Sequence, residues 1–279
     1  MGFYRTLSLI DCGGGRRLDR LAEFTLDRPA PSAEAMGVAA PGAWAGTDAR
    51  FNRIPGEPGA WSGTRPPTGP WRVEAEGLQF ELRPTATGQV GLFLEQLPMW
   101  GWLREQCRGR KLEVLNLFAH TGGSTLAAAA EGASVVHVDG SKSAISWARR
   151  NAEINGLATG SVRWIVEDVG LFVQRELKRG HGYDAVILDP PTYGHGPHRQ
   201  VWQLEQHLPA LLQNVAALTR GRCAFVLLTA HTPGFEGGRL GRELSEGLRV
   251  DGVESGSLDL TAESGNRLPA GSFARVGSR

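Results

Sequence analysis

The chain has 279 residues, of which 41% are hydrophobic and 21% charged, enough for one large α/β domain and a smaller one. A net charge of +1 excludes the global basic field that announces a nucleic-acid binder, although a local patch can hide in a neutral total. Three scattered cysteines, Cys12, Cys107 and Cys223, exclude a disulfide framework and a zinc cluster and suit a reducing cytoplasm. The opening MGFYRTLSLIDCGGGRRLDR has charges within its first apolar stretch, so it reads neither as a signal peptide nor as a membrane span.

From the amino terminus, Tyr4 to Ile10 carries strand formers, Gly13-Gly14-Gly15 turns, and Leu18 to Leu26 continues, which predicts a hairpin. Residues 29–70 are rich in Pro, Gly and Ala, with isolated Trp44, Phe51 and Trp61. That composition predicts a long excursion with little regular structure, its aromatics packed on the main domain or mobile. Trp71 to Ala75 and Leu78 to Arg83 predict a second hairpin around Glu76-Gly77. Residues 1–84 are thus a small β-rich appendage, and residues 85–279 the main domain. Within residues 88–106, Phe93, Leu97, Trp100 and Leu103 recur at helical spacing, which predicts a helix packed on the core.

Residues 112–140 set the pattern for the rest. An apolar run, Leu112 to Phe118, breaks at a turn holding Gly122 and Gly123; an Ala-rich helical stretch follows, Ser124 to Glu131; a second apolar run, Ser134 to Val138, ends in Asp139. A turn without β-carbons lets a ligand approach the backbone, and the next helix offers unpaired N–H groups. An acid at the tip of the second strand can accept both ribose hydroxyls, which suits an adenosyl ligand. The turn lacks both G-x-G-x-x-G and G-x-x-x-x-G-K-[ST], which disfavours a dinucleotide fold and a phosphate-binding NTPase loop.

Downstream, Ser141 is placed to cap a helix from Lys142 to about Asn155, which Gly156 ends. Ser161 to Val166 is a third strand ending in Glu167-Asp168, and Leu171 to Lys178 is helical. Tyr183 to Leu188 is a fourth strand running into DPPTYGHGPHR, and Val201 to Leu218 a long amphipathic helix. Arg222 to Thr229 is a fifth strand, with Cys223 at its start and expected to be buried; a helix from about Arg239 to Leu248 follows. Val253 to Leu260 and Phe273 to Val276 close the sheet as an antiparallel hairpin.

The ordered marks NLFAHTGG, VDGS, ED and DPP resemble those of class I S-adenosylmethionine-dependent methyltransferases. The closer likeness is to bacterial large-subunit (23S) ribosomal RNA methyltransferases that modify cytosine at carbon five or guanine at N7. It rests on GLFLEQ, LNLFAHTGG, VDGSKSAISWARRNAEINGL and LDPPTY, covers roughly residues 85–235, and is specific as an ordered set. The resemblance implies a Rossmann-like, seven-stranded α/β sheet and S-adenosyl-L-methionine as cofactor.

It also implies site residues. Asn116, Phe118, Ala119, Thr121, Gly122 and Gly123 would surround the methionine part of the cofactor, and Asp139, with Ser141 nearby, would bind the ribose hydroxyls. Asp168 would hydrogen-bond the adenine amino group, the alternative being an N-cap for the following helix. Trp147 would pack near the adenine ring, or lie in the core. Phe93 and Gln96 would close the site, and Asp189 would face both methyl group and acceptor. Asp189 and Pro190 read as a rigid acidic edge, and Tyr193 as a ring on which a planar base stacks. His195, with His198 just beyond on an expected loop, is either a base or a solvated side chain.

Members that methylate cytosine carbon use a cysteine shortly after the fifth strand, because an aromatic carbon needs a covalent nucleophile. Here that loop reads TAHTPGF, with Ala230 and His231 and no cysteine. The expectation is therefore a cytoplasmic methyltransferase that modifies a base nitrogen in RNA, ribosomal RNA first, with no metal and no membrane partner. The alternatives are a small-molecule or protein methyltransferase, and a non-catalytic cofactor-binding assembly factor.

Overall fold

The fold is described from a computed structural model for residues 7–53, 56–157, 160–195 and 201–277. The part of the first predicted strand before Leu7, and His198, lie outside these residues. The chain divides into two compact units, Met1–Leu97 with Asp259–Ala270, and Pro98–Leu258 with Gly271–Arg279.

The first unit opens with three strands: β1 (Leu7–Gly13), β2 (Arg16–Leu21) and β3 (Phe24–Pro29). The single strand expected from Leu18 to Leu26 is split, because Ala22 takes a left-handed φ of 61° and turns the chain. The Pro- and Gly-rich stretch is more ordered than its composition predicts. It holds a short helix, α1 (Pro41–Trp44), and strands β4 (Ala49–Asn52) and β5 (Ala60–Ser62), which extend the sheet in the order β1-β2-β3-β4-β5. Its aromatics pack within this unit: Phe51 is buried edge-on against Trp61 at 5.3 Å, and the Trp61 indole donates to the Thr85 carbonyl at 3.0 Å. A second hairpin, β6 (Trp71–Ala75) and β7 (Leu78–Leu82), forms where the sequence predicts it. Both turn residues, Glu76 and Gly77, have positive φ, as a tight hairpin turn requires.

Two buried carboxylates tie this unit together. Asp19 takes hydrogen bonds from Arg17 and Arg28. Desolvation pushes its carboxyl up, but the two guanidiniums outweigh that and hold it below the usual carboxylate range. Asp11 accepts from the Cys12 and Ala40 N–H groups, the Trp44 indole and the Ser264 hydroxyl, at 2.7–2.9 Å.

The second unit starts with α2 (Leu97–Cys107), which begins later than the spacing of apolar residues suggested. A 3-10 turn, Leu94–Gln96, precedes it and leaves Phe93 outside the helix. Next come β8 (Glu113–Leu117), α3 (Gly123–Ala129), β9 (Ser134–Asp139), α4 (Lys142–Ile154), β10 (Val162–Val166), α5 (Val169–Arg179) and β11 (Ala185–Leu188). Beyond the DPP motif a short hairpin forms, β12 (Tyr193–His195) with β13 (Val201–Gln203). Val201–Gln203 is therefore strand rather than the start of the long helix, and His195 sits on a strand rather than a loop. That helix is α6 (Leu204–Leu218), followed by β14 (Phe225–Ala230), α7 (Gly237–Leu248) and β15 (Glu254–Ser257). Cys223 precedes β14 in the turn and is exposed, not buried. The chain returns to the first unit for β16 (Leu260–Thr261) and β17 (Arg267–Leu268), then ends the large sheet with β18 (Ser272–Gly277).

The large sheet has seven strands in the order β10-β9-β8-β11-β14-β18-β15. The first five run parallel, and β18 is antiparallel to both its neighbours. Every residue of β11 and β14 is buried, as expected of parallel strands covered on both faces. Val186, Leu188, Val226 and Leu228 pack with Phe172, Leu208, Leu212, Leu240 and Leu244 from α5, α6 and α7. Phe225 turns to the opposite face and meets Trp102 of α2 edge-on at 5.5 Å. The chain winds outward from β8 in one direction through β9 and β10, and from β11 in the other through β14. That puts the switch point between β8 and β11, where open α/β sheets bind ligands beyond the carboxyl ends of their strands.

Candidate active site

The chain after β8 is bent hard. Phe118 and His120, neither of them glycine, hold φ values of 58° and 46°, and Gly122 follows at 91°. Left-handed backbone at two non-glycine residues is strained, and such strain collects at functional sites. The turn is tied down from both sides. The Ala119 N–H donates to the Val138 carbonyl at 3.2 Å, and the buried Asn151 amide donates to the Thr121 carbonyl at 3.0 Å.

Gly122 and Gly123 answer to packing. A β-carbon on Gly122 would stand 3.1 Å from the Ala148 methyl of α4, and one on Gly123 would run into the Trp100 indole of α2. The close approach that the sequence assigned to a ligand is made here by protein. Asn116 also turns inward: its side-chain amide donates to the Thr125 hydroxyl at 2.8 Å, and that hydroxyl shares a 2.9 Å hydrogen bond with Nδ1 of His137.

Asp139 ends β9 with its carboxylate fixed at both oxygens. The His120 N–H donates to Oδ2 at 2.9 Å, and the Ser141 N–H to Oδ1 at 2.8 Å. Each oxygen retains a second lone pair, so the carboxylate can still accept two hydroxyls. Ser141 caps α4 by accepting from the Ala144 N–H at 3.2 Å. Asp168 caps α5, its Oδ1 accepting from the Leu171 N–H at 2.9 Å. Trp147 is buried on the inner face of α4. Phe93 and Gln96 belong to the first unit, where Gln96 is buried and its N–H donates to the Phe93 carbonyl at 3.1 Å.

Asp189 follows β11 directly. Its Oδ1 accepts from the Thr229 hydroxyl at 2.6 Å and lies 3.2 Å from Nε2 of His231. Desolvation pushes its carboxyl up, but the His231 charge and hydrogen bond, with the Thr229 hydroxyl, outweigh it and hold Asp189 below the usual carboxylate range. Thr229 and His231 were not among the residues expected here. Their signal lay in the strand register: Leu188 faces Leu228 on parallel neighbours, so the residues one and three places on meet Asp189. Pro190 is buried, Tyr193 is exposed and His195 lies on β12. Asp139, Asp189 and the strained turn thus stand at the carboxyl ends of β9, β11 and β8.

The S-adenosylmethionine-dependent methyltransferase model matches residues 36–228. The chain belongs to the S-adenosylmethionine-dependent methyltransferase family. It is similar over its whole length to the SAM-dependent methyltransferase of Agrobacterium tumefaciens, at 34% identity and a TM-score of 0.91, covering 92% of that chain. The ribosomal RNA large subunit methyltransferase I of Aeromonas salmonicida is 32% identical over 46% of this chain. The K/L enzyme of Hahella chejuensis is 35% identical over 43%. This chain spans only 32% and 16% of the lengths of those two curated relatives.

Family membership fixes the cofactor as S-adenosylmethionine, and the Asp139 carboxylate, held rigid yet with acceptor capacity left over, fits its ribose. Among the described residues no group of three or more His, Cys, Asp or Glu is placed to hold a metal ion, and no helix is long and apolar enough to cross a membrane.

Proposed function

We propose that this methyltransferase acts on a planar base in RNA, ribosomal RNA first, and that it modifies a nitrogen rather than cytosine carbon. The observation that carries this reading is the Asp189–His231 pair at 3.2 Å. Methylation of an aromatic carbon needs a covalent nucleophile, whereas a basic ring nitrogen needs mainly alignment. Where a cysteine would serve, at the end of β14, stand Ala230 and then His231, and Cys223 lies beyond the opposite end of that strand.

S-adenosylmethionine supplies an electrophilic methyl group on a sulfonium that is also its leaving group. The chain's part is to bind and align. Asp139 accepts the ribose hydroxyls, with Ser141 beside it; Phe118, Ala119, Thr121, Gly122 and Gly123 form the turn along the methionine part, which Asn116 supports from behind. Asp168 takes the adenine edge while capping α5. Asp189 and Pro190 form the acceptor edge, Tyr193 stacks on the base, and His195 lies beside it on β12. The three free thiols fit a cytoplasmic setting.

A neutral net charge favours a second reading, a small-molecule or protein acceptor. The deciding experiment is transfer of label from S-adenosylmethionine into unmodified total RNA, with and without ribonuclease, beside protein and metabolite fractions. Ribonuclease-sensitive label, resolved by nucleoside analysis to a base nitrogen, is the expected result. Label confined to the other fractions overturns the RNA substrate.

A further inference from the structure

Four residues follow β11, Asp189 to Thr192, and the chain leaving β14 holds them at both ends. At the near end, Oδ1 of Asp189 accepts from the Thr229 hydroxyl of β14 at 2.6 Å and stands 3.2 Å from Nε2 of His231, the first residue beyond β14. At the far end the Thr192 and Thr232 hydroxyls share a 2.7 Å hydrogen bond. Between them the Pro191 carbonyl accepts from the Trp202 indole at 2.8 Å.

His231 is itself seated by backbone. Its ring lies against Gly271, just ahead of β18, where a β-carbon would stand 2.8 Å from Nδ1 and 2.7 Å from the Ala230 carbonyl. Gly271 holds a φ of 146°, a conformation that glycine adopts without cost from a side chain. With Gly271 on its Nδ1 side, the ring presents Nε2 to Asp189.

As an ion pair this contact adds little stability, since the two side chains are 35% and 37% exposed. Its geometry has another consequence. A carboxylate held by one donor can still turn about its bond to the chain. A second donor on the same oxygen takes up that oxygen's remaining lone pair and opposes the rotation. In an aligned transfer, a misplacement of about 1 Å costs on the order of a hundredfold.

We propose that His231 is a positioning residue for methyl transfer: donating from Nε2 to Oδ1, it fixes with Thr229 the orientation in which Asp189 meets the acceptor. Its contribution passes through Asp189. Either the neutral ring protonated on Nε2 or the imidazolium can supply that donor.

This inference rests on the acceptor role proposed above for Asp189 and is tested beside it. His231→Ala removes the donor, whereas His231→Gln keeps an uncharged N–H at comparable reach. On labelled RNA we expect kcat of His231→Ala to fall about tenfold to a hundredfold, the weight of one hydrogen bond to a charged group, with the RNA KM and the S-adenosylmethionine affinity within about twofold of the parent's. His231→Gln is expected to recover most of that loss. Thermal unfolding of His231→Ala is expected within about 2 °C of the parent, as for an exposed pair. A kcat for His231→Ala equal to the parent's would overturn the proposal, and so would a loss that His231→Gln does not recover at all. A fall in cofactor affinity as large as the fall in kcat would make His231 a support of the cofactor site instead. A raised RNA KM with kcat retained would make it a direct RNA contact. Label found only in the protein or metabolite fraction overturns the RNA reading, and the same variants then test the clamp on that acceptor. A parent that labels no fraction overturns the role of Asp189 and the clamp together.

Discussion

Gly123 opens α3 with its α-carbon against the Trp100 indole of α2, so closely that no β-carbon fits between them. The pair joins the turn after β8 to α2. Gly123→Ala forces one element to move, and overpacking of this kind costs about 1–3 kcal/mol. Trp100→Leu alone leaves a partial cavity and costs a comparable amount. The double variant is expected to be more stable than the sum of the two by about 1 kcal/mol, because each change relieves the other. Urea unfolding of the four proteins measures that coupling. Strict additivity would mean that the glycine is required by something other than Trp100.

The sequence revealed the order of strands and helices in the large sheet because the central strands β11 and β14 are continuous apolar runs and some helices carry their own cap or stop. Ser141, Asp168 and Gly156 mark such ends. Asp139 and Asp189 were legible for the same reason, each standing where an apolar run stops. What could not be read was set by contacts distant in sequence. Nothing local to Gly123 reports Trp100, nothing local to residues 29–70 reports the Asp11 carboxylate that holds Ala40 and Trp44, and Val201–Gln203 carries the apolar pattern of the helix after it. The partners of Asp189 required the register of β11 against β14, which only the assembled sheet fixes.

Asp11 lies fully buried and serves donors from both segments of the first unit, Trp44 from one and Ser264 from the other. Asp11→Ala strips a shared acceptor from at least four donors. Leaving buried donors unmet costs about 1–3 kcal/mol each where water cannot replace the acceptor, so a loss of about 3–5 kcal/mol is expected. Thermal unfolding reads it, and a shift in Tm below 5 °C, about 1 kcal/mol for a domain of this size, would show that water takes over the role.

Asp139 joins two backbone N–H groups to the ribose role proposed for it. Asp139→Ala is expected to weaken S-adenosylmethionine binding at least about a hundredfold, the weight of two hydrogen bonds to a charged group. Asp189→Ala is expected to keep that binding and lose transfer, since the role proposed for Asp189 is toward the acceptor. Calorimetry and single-turnover labelling separate the two. Parental affinity in the first variant, or parental turnover in the second, would remove the corresponding role.

His137 supplies a dependence on pH that can be signed in advance. Its ring is fully buried on β9, hydrogen-bonded to Thr125, and burial pushes the imidazole down to about 3. The unfolded chain protonates this histidine near its ordinary pKa of about 6.5, so below that pH the unfolded state binds a proton that the native state does not. Stability therefore falls as pH falls from about 6.5 to about 3, at about 1.4 kcal/mol per pH unit from this one residue. His137→Asn can keep the bond to Thr125 without a titrating ring. Its unfolding free energy is expected to lie lower than the parent's at pH 7 and to approach it by about 2 kcal/mol at pH 5. Curves for parent and variant that stay parallel between pH 7 and 5 would mean that the imidazole takes up its proton in the folded sheet.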